Sequence, residues 1–257
     1  MNDEKLEQLS THIIERSKNR GLSVNIDKLL YSLDWQLSSL PSGIGNSVLF
    51  VGVGHGHDAL IGLLQGKFKH VVGVDPYIET DGNGEADFLV LQSILEELNL
   101  KSNFSIHTSK IQDFLVDKEQ SFDLIVCNDV LHHIFVDKTR LSESSHFKKA
   151  VELFTQLRSV ASDDGIMIVK EAQRFGLRPF LYRSGLLTGE VDYATKQSWS
   201  EWDTAATQGG WRMDSISNYV PYAFRNFSRF FNGFIGRYTL CDLYQLNFSI
   251  EDRELYK

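Results

Sequence analysis

Residues 48–60 read VLFVGVGHGHDAL. Four apolar residues, Val48 to Val51, run into glycines at alternate positions, Gly52, Gly54 and Gly56, and an amphipathic stretch follows. A short apolar run closed by turn residues predicts a buried strand, and HDALIGLLQG predicts a helix ending at Gly66. Glycine is the residue for such a strand-to-helix turn. It accepts left-handed backbone angles without steric cost and lets a ligand come close to the main chain. The start of the following helix adds a partial positive charge. The spacing is G-x-G-x-G. The dinucleotide fingerprint, G-x-G-x-x-G, would place a glycine where this chain has His57. Packing of a tight turn with no ligand is the plainer reading of the same glycines.

Downstream, apolar runs of strand length alternate with helical stripes. HVVGVD, NFSIHT, FDLIVCN and GIMIVKEA read as strands; ADFLVLQSILEEL, VLHHIF and HFKKAVELFTQLRSVA read as helices. That alternation predicts an α/β fold, a mostly parallel sheet with helices on both faces. Upstream, Leu6, Leu9, Ile13 and Ile14 form one helical stripe, and Leu29, Leu30, Leu33, Leu37 and Leu40 a second, before PSGIGN breaks the chain. Residues 1–45 are therefore expected to be an N-terminal helical cap on a domain of residues 46–257. Near the end, Ser198 and Glu201 have capping-box spacing and predict a helix that stops at Gly209-Gly210. WRMDSISNYV and GRYTLCDLYQLNF follow as two long strands, suited to an antiparallel pair.

Composition narrows the function. The formal net charge is −8 over 257 residues, and an acidic surface repels phosphate, so no nucleic-acid partner is expected. No run approaches the roughly 20 apolar residues of a membrane span. The charged N-terminus lacks the apolar core of a signal peptide. Cys127 and Cys241 sit in apolar runs that read as strands, as buried thiols in a reducing compartment do. A cytoplasmic location is expected.

Two further landmarks follow the glycines. Asp75 ends the HVVGVD strand, 19 residues past Gly56. A carboxylate there can accept from both hydroxyls of a ribose, although a loop acid or helix cap is the alternative. Pro76 and Tyr77 behind it offer a rigid apolar ledge suited to an adenine face. In SFDLIVCNDVLHHI, Asn128 and Asp129 fall at the carboxyl end of a strand, the edge where open α/β sheets bind ligands.

With these residues in series, the chain from Val48 onward resembles the class I, Rossmann-like S-adenosylmethionine-dependent methyltransferases. The resemblance implies a seven-stranded, mostly parallel sheet with an antiparallel last strand, and S-adenosylmethionine as cofactor. It puts Gly52, Gly54 and Gly56 under the methionyl part, Asp75 at the ribose, and Asn128 beside the sulfonium. It puts the adenine turn at Thr108, Ser109, Lys110 and Ile111. The chain departs from the family pattern at two places. Phe50 stands where many members have an acid, a role Asp58 is placed to supply, and Ser109 stands where an Asp is frequent.

Methyl transfer from a sulfonium is an in-line displacement, so the protein's main task is to align the groups and exclude water. A base is needed only where the acceptor loses a proton. His132 and His133 are the candidates, expected on the polar side of a short helix; lining the pocket is their alternative role. Glu171, at the end of the next strand, is a third candidate, set against a solvated acid or a salt-bridge partner. His55 and His57 lack any recognised ligand spacing, and no metal site is expected. The acceptor is expected to touch the N-terminal helices around Trp35 and an insert near 172–198. That insert carries Arg174, Arg178, Arg183 and Lys196 with Tyr182 and Tyr193, a set suited to a small, anionic or sugar-like acceptor. Phe224, Phe227, Phe230, Phe231 and Phe234 recur at helical spacing, as in a packed helix, a homodimer contact or a surface for lipid. The functional reading is methyl transfer, with oxygen slightly favoured as the acceptor. Two alternatives stand beside it, an NAD(P)-dependent oxidoreductase or epimerase and a non-catalytic S-adenosylmethionine-binding protein.

Overall fold

Strands and helices alternate from residue 47 onward as the periodicity predicts. The computed structural model describes residues 3–19, 26–38, 40–41, 44–78, 84–116, 120–135, 139–186, 192–193, 195–220, 226 and 243–250. Cys241, the five phenylalanines between 224 and 234, and the start of the last expected strand lie outside the described residues, as does the side chain of Arg178. The described strands form one seven-stranded sheet in the order β3-β2-β1-β4-β5-β7-β6. The chain divides into two compact units, residues 1–117 with 122–124, and residues 118–121 with 125–257.

In the first unit, β1 (Ser47–Val51) pairs in parallel with β2 (His70–Val74), and β2 pairs in parallel with β3 (Phe104–His107). Val48, Leu49, Phe50 and Val51 are all buried, so β1 shows none of the polar alternation of a half-exposed strand. Between these strands run α3 (His57–Leu64) and α4 (Glu85–Glu97), and α5 (Ile111–Leu115) follows β3. The two upstream stripes are α1 (Asp3–Asn19) and α2 (Ile26–Leu37), and both touch α3. Leu9, Ile13 and Leu33 carry the burial of their helices. Asp123, near the start of β4 (Phe122–Asn128), accepts from the backbone N–H groups of Asn46 at 2.9 Å and Ser47 at 2.8 Å. It thereby satisfies donors that lead into β1.

In the second unit, α6 (Leu131–Ile134) follows β4, and α7 (Phe147–Ser159) leads into β5 (Ala161–Ala172). The insert expected as a lid contains a short helix, α8 (Leu177–Arg183). Its Pro179 lies in the first turn, where the missing N–H costs no helical bond. The helix predicted at Ser198 is α9 (Trp199–Gln208), but the capping box does not close. The Glu201 carboxylate instead accepts from the backbone N–H of Ser142 at 2.7 Å, and tertiary contact has overridden the local motif. Trp202, fully buried, sets its ring at 74° to Phe154 of α7.

The last two strands, β6 (Trp211–Asn218) and β7 (Leu243–Ile250), pair antiparallel as expected. Their placement adds a point that periodicity does not carry. β7 is antiparallel to β5 as well, so the last strand inserts between β5 and β6 and leaves β6 on the edge. The β5–β7–β6 register sets Glu171 opposite Tyr244, and Tyr244 opposite Asn218.

Candidate active site

The first unit contributes a backbone cradle. Gly52, Gly54 and Gly56 all have positive φ, at 69°, 50° and 71°. At Gly56 the requirement is also spatial, since a Cβ would lie 2.7 Å from Leu91 Cδ1 on α4. The loop is held by the end of β2. Asp75 Oδ2 accepts from the Gly54 N–H at 2.9 Å, and Oδ1 accepts from the Tyr77 N–H at 2.9 Å. The Tyr77 hydroxyl closes the ring by donating to the Gly54 carbonyl at 2.8 Å. Asp75 is 6% exposed and Tyr77 is 7% exposed.

The placement of Tyr77 corrects the expected adenine ledge. Its positive φ of 50° turns the ring back onto the loop, where it packs 5.4 Å from Phe88. Pro76 alone of the pair stays half-exposed. Phe50 sits in the core with its ring at 70° to Phe68. The position at which the resemblance implies an acid is therefore spent on packing here, while Asp58 lies half-buried in the first turn of α3. At the expected adenine turn, Thr108 and Lys110 are exposed, Ser109 is half-buried, and Ile111 is buried as the first residue of α5. Within the loop, His55 stacks on His57 and lies 3.7 Å from the buried carboxylate of Asp87. No cluster of three or more His, Cys, Asp or Glu suited to a metal occurs among the described residues.

The second unit holds a charged cluster at the ends of β4 and β5. His132 and His133 were expected on one polar face, but the four-residue helix splits them. His132 is 6% exposed and His133 is exposed, their ring centroids 4.1 Å apart. His132 Nδ1 lies 2.6 Å from Glu171 Oε2. The other carboxylate oxygen, Oε1, accepts from the Leu131 N–H at 2.8 Å. Glu171 is thus neither solvated nor free to turn; at 1% exposure its two carboxylate oxygens are held by His132 and by the backbone of Leu131. With Nδ1 donating to a carboxylate, the lone pair of the neutral ring resides on Nε2.

Asn128 ends β4 half-buried, and Asp129 follows with φ of 48° and its N–H on the Lys170 carbonyl at 2.7 Å. Part of the Asp129 surface meets solvent, but protein crowds the rest. That partial desolvation, with the like charge of Glu171 second, pushes its carboxyl up to about 6, against the pull of Lys170, His132 and Lys196. Lys196 is 8% exposed. Burial lowers its ammonium below the usual range, while the charges of Glu171, Asp129 and Asp192 support the protonated form. Cys127 is fully buried, and burial followed by the Glu171 charge pushes its thiol far up, so it is no nucleophile. The approach of Asp129 and Lys196 to Glu171 carries no signal in spacing, because it joins residues from three separate segments. Of the insert's other polar residues, Arg174 donates to the Thr139 carbonyl at 2.7 Å, and Tyr182 packs against Tyr193 at 5.4 Å. These contacts give both residues a structural task.

A family model described as "Methyltransferase domain" matches residues 37–224. The cyclopropane synthase MmaA2 from Mycobacterium tuberculosis is similar in structure, with a TM-score of 0.57 at 13% identity over 86% of this chain and 83% of that one. A putative S-adenosylmethionine-dependent methyltransferase from Listeria monocytogenes gives 0.55 at 12% identity, over 89% of this chain and 100% of the other. The plantazolicin methyltransferase BpumL, solved with a pentazolic desmethylPZN analog and SAH, gives 0.52 at 14% identity over 88% and 84%. No curated protein sequence matches the chain significantly. At these identities the structural likeness establishes the shared fold.

Proposed function

The chain belongs to the methyltransferase-domain family, and on that premise we propose that it moves a methyl group from S-adenosylmethionine to an oxygen of a small or medium-sized acceptor. The family match sets the oxidoreductase alternative aside. The residues present fit the donor. A carboxylate has about four lone-pair positions, and Asp75 uses two on Gly54 and Tyr77, which leaves acceptor capacity for ribose hydroxyls. The three positive-φ glycines expose backbone donors at the head of a helix, where a carboxylate of the methionyl part is favoured. Ser109, Lys110 and Ile111 are proposed for the adenine, and Asn128 for the region of the sulfonium. When bound, S-adenosylmethionine supplies a methyl group already activated by its positive sulfur.

The observation that carries the choice of oxygen is the His132–Glu171 pair. A hydroxyl must lose a proton as it is methylated, and His132 Nε2 is the atom to take it. Glu171 sets the tautomer and steadies the imidazolium that results, the role a buried carboxylate plays behind a histidine. His133, exposed, is left as a wall residue. An acceptor with a nitrogen lone pair or a carbon nucleophile would make less use of this dyad.

Residues 1–45 are proposed as a helical cap over a methyltransferase domain of residues 46–257, with the insert at 172–198 shaping the acceptor site. Lys196, buried near Glu171 and Asp129, favours an acceptor with anionic or polar oxygen. No described helix is long and apolar enough to cross a membrane. A cytoplasmic location is proposed from the buried free thiol of Cys127. The decisive experiment is an acceptor screen read by a mass gain of one methyl, followed by His132→Ala. Binding of S-adenosylmethionine with no turnover on any acceptor class would favour the non-catalytic alternative.

A further inference from the structure

Residues 173–189, QRFGLRPFLYRSGLLTG, contain three arginines and no acid, in a chain whose net charge is −8. The same stretch holds four of the eight large apolar side chains exposed among the described residues. Phe175 is 45% exposed, Leu177 44%, Phe180 64% and Leu186 71%. Exposed apolar residues scattered singly need no explanation, but a cluster does. Within α8, Leu177 and Phe180 are three residues apart and share a face. The opposite side is anchored, since Pro179 is buried and the Tyr182 ring meets Tyr193, itself 3% exposed. The guanidinium carbons of Arg174 and Arg183 lie 5.9 Å and 5.7 Å from the Phe175 ring centroid. The helix is pinned by one face and offers apolar side chains beside fixed cations on the other.

We infer that this α8 face is a membrane-surface contact that seats on anionic lipid headgroups. Short apolar side chains that dip into the headgroup boundary, with arginines at phosphate level, are the pattern of an interfacial segment rather than a spanning one. Charge decides the occupant. A second copy docking through the same face about a two-fold axis would bring the Arg174 and Arg183 charges of one chain towards those of the other. An anionic bilayer meets both with the opposite sign. The chain as a whole is acidic, so a local cluster of arginines gives the protein a preferred side towards such a surface.

The test uses the full chain and sedimentation with two vesicle types, one of phosphatidylcholine alone and one of equal parts phosphatidylcholine and phosphatidylglycerol. Binding to the anionic vesicles is expected to be at least about tenfold tighter, and to weaken as salt is raised. The Phe180→Ser/Leu186→Ser double variant should lose about tenfold in vesicle affinity while keeping its unfolding midpoint, because both side chains are mostly solvent-exposed. A Leu89→Ser/Val116→Ser variant, altering residues 55% and 71% exposed elsewhere, should bind vesicles like the parent. Equal binding to both vesicle types, no binding to either, or undiminished binding by the Phe180/Leu186 variant would overturn the inference. So would a concentration-dependent dimer that only that variant abolishes.

Discussion

His132 and Glu171, 39 residues apart in sequence, meet at 2.6 Å with nearly no solvent between them and the protein. The pair joins α6 to the end of β5. β5 delivers Glu171 as its last residue but one, and the backbone N–H of Leu131 donates to the second carboxylate oxygen. A carboxylate bound in this way has little freedom to rotate, so the imidazole it holds has one orientation as well.

From that geometry, His132→Ala should lower turnover by roughly 10²–10⁴-fold with little change in cofactor affinity. Glu171→Gln should act in the same direction by disturbing the tautomer, and His133→Ala should change turnover far less. Steady-state rates of the three variants beside the parent, with cofactor affinity measured in parallel, check this. Equal rates for His132→Ala and the parent would move the base elsewhere.

Asp75 serves both the loop and, as proposed, the ribose. Asp75→Ala should therefore weaken S-adenosylmethionine binding and also lower stability by about 1–3 kcal/mol, since two backbone N–H groups lose their acceptor. Tyr77→Phe removes only the bond to the Gly54 carbonyl and should cost about 1 kcal/mol. Calorimetric titration alongside chemical unfolding separates the two effects. A folded Asp75→Ala variant with unchanged affinity would show that Asp75 is a loop acid alone.

Gly56→Ala should destabilise by about 1–3 kcal/mol, because the residue combines a left-handed backbone with a close neighbour. The neighbour is the flexible end of Leu91. Adding Leu91→Ala should then make the pair less damaging than the sum of the single changes. Denaturant midpoints of the single and double variants measure the coupling, and strict additivity would show that backbone strain alone acts.

Asp129 should make stability depend on pH. Its folded carboxyl is raised from 3.8 to about 6. The folded state thus holds the proton more tightly than the unfolded chain. The associated stability is complete below the unfolded value and is lost as pH rises through the folded one. Asp129→Asn abolishes that loss and keeps a residue that tolerates positive φ. The variant should gain stability over the parent as pH rises from 4 towards 7, with the gap levelling above the folded value. Thermal midpoints across this range test it. A gap that shrinks with rising pH would reverse the assignment.

The order of the strands and of the longer helices was legible in residues 47–218 because burial imposes a local period, whereas the short helices α5 and α8 were not read from it. An apolar run such as Val48–Val51 that is stopped by glycines suits a buried strand, and left-handed positions at Gly52, Gly54 and Gly56 favour glycine. The candidate positions, Gly52 to Gly56, Asp75, Asn128 and Glu171, were legible as strand ends and the turns that follow them. The direction of each side chain was not. Tyr77 turns onto Gly54 and not outward, Glu201 leaves its own helix for Ser142, and His132 parts from His133. In each case a local preference worth a few tenths to about 1 kcal/mol yields to a polar contact from another segment, and at His132, buried against Glu171, the group must find a partner. Leaving such a group unpaired costs more, and its partner is chosen by packing between distant segments. The sequence determined which residues end each strand; the tertiary structure decided which neighbours each of them holds, because those neighbours come from segments distant along the chain.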